Sequence, residues 1–290
     1  MDKNTITGIV LIGLLLFGFT FYQNKQYQKQ AAYQAQLDSI ALVKQIQADS
    51  IAAVEAAQRV SSDTASVAQV AAAPVSIYKD SLLEAAHSAE AQIVTLANDK
   101  FEVAFTTKGA QPYSVKINEY SSYGGGELFI FKPEMSRYDI QVYAGETINT
   151  ADFNFVVAEK TDTSLAMRLP FAGGGYIEQR YSIAEGSYSV KNYLSFVGME
   201  NVIPKNVFSF DVDYFVTMPR MEKGYKSEVQ YSKLDYYFNG EKKPEAIAKG
   251  RSAQKRVDAR VSWFAFQQQF FSAIMRSPQE FASADFALNY

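Results

Sequence analysis

The 290-residue chain has no cysteine, a single histidine and a single tryptophan. Without cysteine there are no disulfides, thiolate metal sites or cysteine nucleophiles. The absence does not by itself assign a compartment. No strong charge of either sign is present: 28 basic residues face 31 acidic ones, for a net charge of −3. That leaves no basic field to attract nucleic acid. The G-x-S-x-G, H-E-x-x-H, P-loop and EF-hand spacings are all missing, so common hydrolase, phosphate and cation sites have no local signature. Apolar residues make up 48% and aromatics 14%, which is ample for one large domain or two ordinary ones.

Only one long uncharged apolar run occurs, ITGIVLIGLLLFGFTFY at residues 6–22. At about 17 residues it reaches the lower limit for a bilayer span. Tyr22 and Tyr27 stand where interfacial aromatics would anchor its end. A cleaved signal peptide would carry several positive charges before the run and a small-x-small site after it. Here Lys3 is opposed by Asp2, and the run closes on FTFYQNKQ. Residues 1–22 therefore read as an uncleaved transmembrane anchor. Lys3 lies on one side and Lys25 and Lys29 on the other, so charge does not orient it.

Residues 23–76 read as a Gln/Ala-rich linker, without glycine or proline before Pro74. DSIA recurs at 38–41 and 49–52, placing Ile40, Val43, Ile51 and Val54 on one thin helical stripe. This predicts a partly helical, solvated spacer; a short coiled coil is the sharper alternative. SSDTASVAQVAAAPVS at 61–76 is a flexible stretch ending at a proline. The folded domain is expected over 77–290.

From residue 91 the period becomes two. Strands are predicted at 93–96, 101–105, 113–117, 128–131, 139–143, 153–158, 164–169, 176–183, 187–197, 207–217 and 228–238. The triple-glycine stretches 124–126 and 173–175 read as hairpin tips. They open no helix, so they are not phosphate cradles. So many short strands between glycine and proline turns predict a mainly β, antiparallel sandwich or barrel. Residues 80–91 look helical, and the Lys/Arg-rich 242–260 reads as a solvated loop.

RVSWFAFQQQFFSAIM at 260–275 stands apart. Taken as a helix, it puts Trp263, Phe266, Phe270 and Ile274 on one stripe, broadened by Phe264, Phe271 and Met275. Gln267 falls inside that face and would need a hydrogen-bond partner. Its polar face carries glutamines rather than lysines, so packing on the chain's own sheet is expected over lying on a membrane. Burying seven large side chains is worth on the order of 10 kcal/mol before entropy. Trp263, Phe266, Gln267, Phe270, Phe271 and Ile274 are thus the expected residues of a structural or interface helix.

Three features together resemble the YidC-type membrane protein insertases of Gram-negative bacteria. They are the start MDKNTITGIVLIGLLLF, the order of anchor, low-complexity linker and β-rich domain, and Trp263-Phe-Ala265-Phe-Gln-Gln268-Gln269-Phe270-Phe271. The last is similar to the W-x-A-x-x-Q-Q-[YF]-F stretch of the family's large periplasmic domain. The Gln/Ala-rich linker and the MDKNT start resemble the Bacteroidetes branch. The resemblance implies a large antiparallel sandwich of galactose-mutarotase-like kind, with helices near its C-terminal end. It also implies a cytoplasmic N-terminus, a periplasmic main domain and the bacterial inner membrane as location. The implied partners are the lipid bilayer, nascent membrane-protein clients and Sec translocon subunits, with no cofactor, no nucleic acid and no small-molecule substrate. In this family the insertase core follows the periplasmic domain, so the chain reads as the N-terminal portion, truncated near the end of its β-domain.

Two other readings stay open. One is a self-contained, membrane-anchored periplasmic binding module. The other is a sugar-processing enzyme, since sandwiches of this kind resemble galactose mutarotase. That chemistry needs a proton donor and acceptor on one sugar, commonly histidines with a carboxylate. His87 is the only histidine and is expected in the helical stretch before the strands. Asp211 and Asp213 share a strand face, which is expected to be a polar outer face. A catalytic role is therefore not expected.

Overall fold

A computed structural model describes residues 78–238 and 240–289. The expected anchor (1–22) and linker (23–76) lie outside them. Among the described residues no helix is long and apolar enough to cross a membrane.

The described chain is mainly antiparallel sheet, as its alternation predicts. Helix α1 (Ser81–Ser88) comes first. Asp80 caps it, one carboxylate oxygen accepting from the Leu82 and Leu83 amides, which meets two of the donors a helix start leaves open. The other oxygen accepts from the Ala172 amide at 2.8 Å and ties the cap to a distant loop. Strands β1 (Ile93–Ala97), β2 (Phe101–Thr106), β3 (Gln111–Ser121) and β4 (Glu127–Phe131) form a meander in that order. Strands β7 (Val156–Lys160), β8 (Ser164–Pro170), β9 (Tyr176–Ile183) and β10 (Val190–Val197) form a second. Between these come β5 (Ser136–Tyr143) and β6 (Thr147–Asn149), joined by β11 (Asp211–Val216) into a third sheet.

The first two sheets face each other across one core. Phe101, Val103 and Phe105 from one meander, and Leu165, Met167, Leu169, Ile177 and Tyr181 from the other, are buried in it. The Phe105 and Tyr181 rings lie 4.4 Å apart. Each strand contributes alternate residues, which is the sandwich arrangement. Tyr181 brings a hydroxyl into this core and donates it to the Ala110 carbonyl at 2.8 Å, as a buried polar group requires. Gly175, in the β8–β9 tip, has φ of 78°, and a Cβ there would meet the Val197 and Gly198 carbonyl oxygens at 2.4 Å. Only glycine fits that approach.

The last third builds a second core. Strands β12 (Lys233–Tyr237), β13 (Glu245–Lys249), β15 (Val261–Gln267) and β16 (Ser272–Phe281) form a sheet in the order β13-β12-β15-β16, while β14 (Ala253–Val257) pairs with β17 (Ala284–Leu288). Leu234, Tyr236, Ile247, Val257, Val261, Phe264 and Phe286 are buried together there. Tyr214 of β11 packs against this core, its ring 5.8 Å from that of Phe266.

Three expectations are corrected. The amphipathic helix over 261–275 is instead the hairpin β15–β16. A short aromatic run fits either period, and the ladder with β12, running from Lys233↔Gln267 to Tyr237↔Trp263, holds it extended. The strand expected at 228–238 begins as helix α2 (Tyr225–Tyr231), and only Lys233–Tyr237 is strand. Within that helix Glu228 is buried, its side chain turned inward to accept the Met221 amide at 2.8 Å. The loop expected at 242–260 holds β13 and β14. Their charges mark exposed strands and are paired, Lys255 with Glu245 at 2.8 Å and Arg256 with Asp285 at 2.8 Å.

Candidate interaction surface

The hairpin β15–β16 separates its side chains by alternation. Phe264 and Phe266 point into the second core with Met275. Trp263, Ala265 and Gln267 take the opposite face. Trp263 is half-buried, with its ring stacked on that of Tyr237 across the strands at 6.0 Å and 17°. Arg276 of β16 pairs with Trp263 on the other side. Ala265 is 5% exposed although it faces away from the core. Its cross-strand neighbour Asp235 holds the Lys233 ammonium at 2.7 Å.

The turn is closed by the Gln268 amide donating to the Phe271 carbonyl at 2.8 Å. The Gln268 side chain reaches out of the hairpin. Its Nε2 donates to the Pro219 carbonyl at 3.1 Å and the Met218 carbonyl at 3.4 Å, while Oε1 is buried with no hydrogen-bond partner. Phe271 turns inward and packs on the first core with Ala273; its ring meets that of Tyr120 edge-on at 5.8 Å. Phe270 and Ile274 turn outward, 68% and 66% exposed. The six expected residues therefore do not share a face. Phe266 is in the second core, Phe271 on the first, Trp263 and Gln267 on the outer face, Phe270 and Ile274 in solvent. Gln267 lies half-exposed on the outer face rather than inside an apolar one, because the period is two and not 3.6.

The segment gripped by Gln268 continues into an aromatic and basic neighbourhood that the sequence did not single out. The Arg220 guanidinium lies 4.8 Å from the Tyr123 ring and 5.8 Å from the Tyr225 ring. Its Nε donates to the Glu222 carbonyl at 2.8 Å, and a terminal nitrogen donates to the Lys223 carbonyl. The Tyr123 amide donates to the Met221 carbonyl at 3.2 Å. Tyr123 lies about a hundred residues before Arg220 and Tyr225, so no local pattern brings them together.

The groups weighed for catalysis have other partners. His87 sits against the Tyr78 and Phe153 rings, and its Nδ1 lies 3.1 Å from the Asp152 carbonyl oxygen. Asp211 and Asp213 are exposed on β11 and alternate with half-buried Val212 and Tyr214, the polar outer face expected of them. Asp139 is fully buried and saturated, accepting from Arg137 at 2.9 Å, Thr150 at 3.2 Å and the Ala151 amide at 2.9 Å. Glu178 lies between Arg168 at 2.7 Å and Arg180 at 3.2 Å. Burial pushes its carboxyl up, but the two guanidiniums outweigh this and hold it below the usual glutamate value. Among the described residues no cluster of three or more His, Asp or Glu is placed to hold a metal ion.

No protein-family model matches the chain. Curated relatives do match it. A membrane protein insertase YidC from Bacteroides fragilis is 29% identical over 287 residues, covering 97% of this chain and 44% of that protein. Those from Phocaeicola vulgatus and Porphyromonas gingivalis are 28% and 27% identical over 98% and 95% of this chain, covering 44% and 43% of theirs. The chain thus spans less than half the length of the curated relatives it matches. A solved galactose mutarotase-like protein from Lactobacillus casei overlays at a TM-score of 0.43 and 11% identity, covering 67% of this chain and 82% of that one; so loose a likeness adds nothing to the description of the sheets. The resemblance to YidC-type insertases of the Bacteroidetes kind, first seen in the amino terminus and in residues 263–271, extends along almost the whole chain.

Proposed function

We propose that the protein is a membrane protein insertase and chaperone of the YidC type, with this chain supplying its N-terminal anchor (1–22), its linker (23–76) and its periplasmic β-domain (77–290). The observation that carries the reading is similarity over 95–98% of the chain to proteins of that name. The task is physical rather than chemical. Polar backbone and side-chain groups of a client cost several kcal/mol each when left unsatisfied in lipid, and an insertase lowers that cost without making or breaking a bond. No catalytic residue or cofactor enters this reading.

In the proposed topology the N-terminus is cytoplasmic, the span lies in the bacterial inner membrane and the sandwich stands in the periplasm. There the β-domain acts as a binding platform for nascent membrane-protein clients and Sec translocon subunits. Strands β11 and β16, which end their sheets, offer unpaired backbone groups to an added strand.

The test is depletion of the protein in its source cells, followed by protease accessibility of a newly made, pulse-labelled inner-membrane protein. The expected result is that the client's periplasmic loops stay protected. Unchanged client insertion on full depletion would refute the insertase reading and favour a self-contained anchored binding module.

A further inference from the structure

We propose that the end of the β-domain formed by Tyr120, Tyr123, Arg220, Tyr225 and Phe270 is a membrane-contact surface that rests in the headgroup layer of an anionic bilayer. Three segments meet there: the β3–β4 turn, the β15–β16 turn and the segment 218–226. The contacts already described hold them together. Gln268 binds the Met218 and Pro219 carbonyls, the Tyr123 amide binds the Met221 carbonyl, and Phe271 packs on Tyr120. On this framework Tyr120, Tyr123, Tyr225 and Phe270 stand 55%, 55%, 61% and 68% exposed.

The chemistry favours lipid over a protein partner. Tyrosine and phenylalanine interleaved with basic side chains are what a bilayer interface selects, the rings at headgroup depth and the cations at the phosphates. Arg220, Lys223 and Lys226 are exposed here. Of the nearby carboxylates, Glu228 is buried on the Met221 amide, Glu222 is half-buried, and Glu127, 66% exposed at the foot of the β3–β4 tip, pairs with Lys116 at 3.3 Å. A locally basic surface on a chain of net charge −3 complements anionic headgroups. The apolar run at 6–22, read as an anchor, would hold the domain near the bilayer, so that even a weak surface stays occupied.

The absence of native cysteine permits a site-specific test on the full chain reconstituted into vesicles. Single probes are placed by Phe270→Cys and Tyr225→Cys, with Val156→Cys on β7 as reference; Val156 is 62% exposed and follows Phe155, whose amide bonds the Thr107 carbonyl beside the β2–β3 turn, at the end of β3 away from the β3–β4 turn. Each carries an environment-sensitive fluorophore. In phosphatidylethanolamine–phosphatidylglycerol vesicles, the probes at 270 and 225 are expected to shift to the blue and to be quenched by headgroup nitroxide lipids, while that at 156 is not. The effect should weaken in pure phosphatidylcholine and with Arg220→Glu plus Lys223→Glu. Three probes that behave alike on sedimenting vesicles overturn the surface and leave the anchor reading standing. A chain left in the supernatant overturns both. A shift that grows with protein concentration and ignores lipid composition assigns the patch to a second copy of the chain and overturns the lipid reading.

Discussion

Truncating Phe264 and Phe270 separately tests how the segment 261–275 is held. A helix would have placed Phe270 on the packing stripe with Trp263, Phe266 and Ile274. In the hairpin, Phe264 is 8% exposed, with the Phe286, Phe281, Phe266 and Tyr214 rings at 5.5, 5.7, 5.9 and 6.4 Å. Removing a phenylalanine from such a site costs about 3–5 kcal/mol, transfer and cavity together. For a domain of this size each kcal/mol lowers Tm by roughly 2–4 °C, so Phe264→Ala should lower it by roughly 10 °C. Trp263→Ala removes a half-buried ring and its stack on Tyr237, worth about 1–2 kcal/mol. Phe270→Ala removes a ring already in water and should stay within about 0.5 kcal/mol. Circular-dichroism melts of the detergent-solubilised full chain give the order. Equal losses at 264 and 270, or a larger loss at 270, would refute the strand register and the core assignment together.

Three further outcomes follow from local geometry. Gly175→Ala should destabilise strongly, since strain at positive φ alone costs about 1–3 kcal/mol and the new Cβ also meets two carbonyl oxygens; Gly124→Ala, with open space around it, is the neutral control in the same melts. Burial pushes the hydroxyls of Tyr138 and Tyr214 up from 10.0 to about 12. The unfolded chain ionises them first, so stability should fall as pH rises from 10 to 12, and Tyr214→Phe should lessen the fall in a Tm–pH series. Glu178 is held below its ordinary 4.5 despite burial; its contribution is present above that pH and lost as pH drops through the lower folded value. The Tm gap between Glu178→Gln and the unaltered chain should therefore close below pH 4.5. It should be small throughout, because the Arg168 and Arg180 side chains are 40% and 35% exposed.

The sandwich was legible because its strands carry their own evidence. Residues 176–183 alternate between glycine turns, and β9 has those same bounds. The errors fall where local pattern is degenerate. In 261–275 the spacings 3, 4 and 4 satisfy a helix, while Phe264, Phe266, Ala273 and Met275 satisfy a hairpin; the arbiter is β12, some thirty residues earlier in the chain. YKSEVQY has no apolar stripe, and the one residue α2 buries is a carboxylate, Glu228, so periodicity does not mark it. Strands β13 and β14 give only Ile247 and Val257 to the buried core and sit among many Lys, Arg and Glu, so they read as a loop. The aromatic patch was illegible for a different reason. Tyr120, Arg220 and Phe270 become neighbours only when three turns are brought to one end.

The stretch 263–271, on which the resemblance to the insertases was first seen, divides its labour between the two cores. Phe266 and Met275 belong to the second core, Phe271 and Ala273 to the first, so one hairpin fastens the two. Gln268 adds hydrogen bonds to the segment after β11. Trp263 braces β15 against β12, and Ala265 is buried beside it. Trp263, Ala265 and Gln268 thus each have a structural task within the domain, which accounts for those three positions of the pattern without a ligand. What that construction leaves over is Phe270, 68% exposed between the hydrogen-bonded Gln268 and the packed Phe271 and adjoining the Tyr120–Arg220 surface. A large exposed ring on a braced turn costs solubility and adds nothing to either core. The hairpin that fastens the two cores thus also carries Phe270 at the edge of the surface proposed to meet the bilayer, and that proposal accounts for an exposure that packing does not.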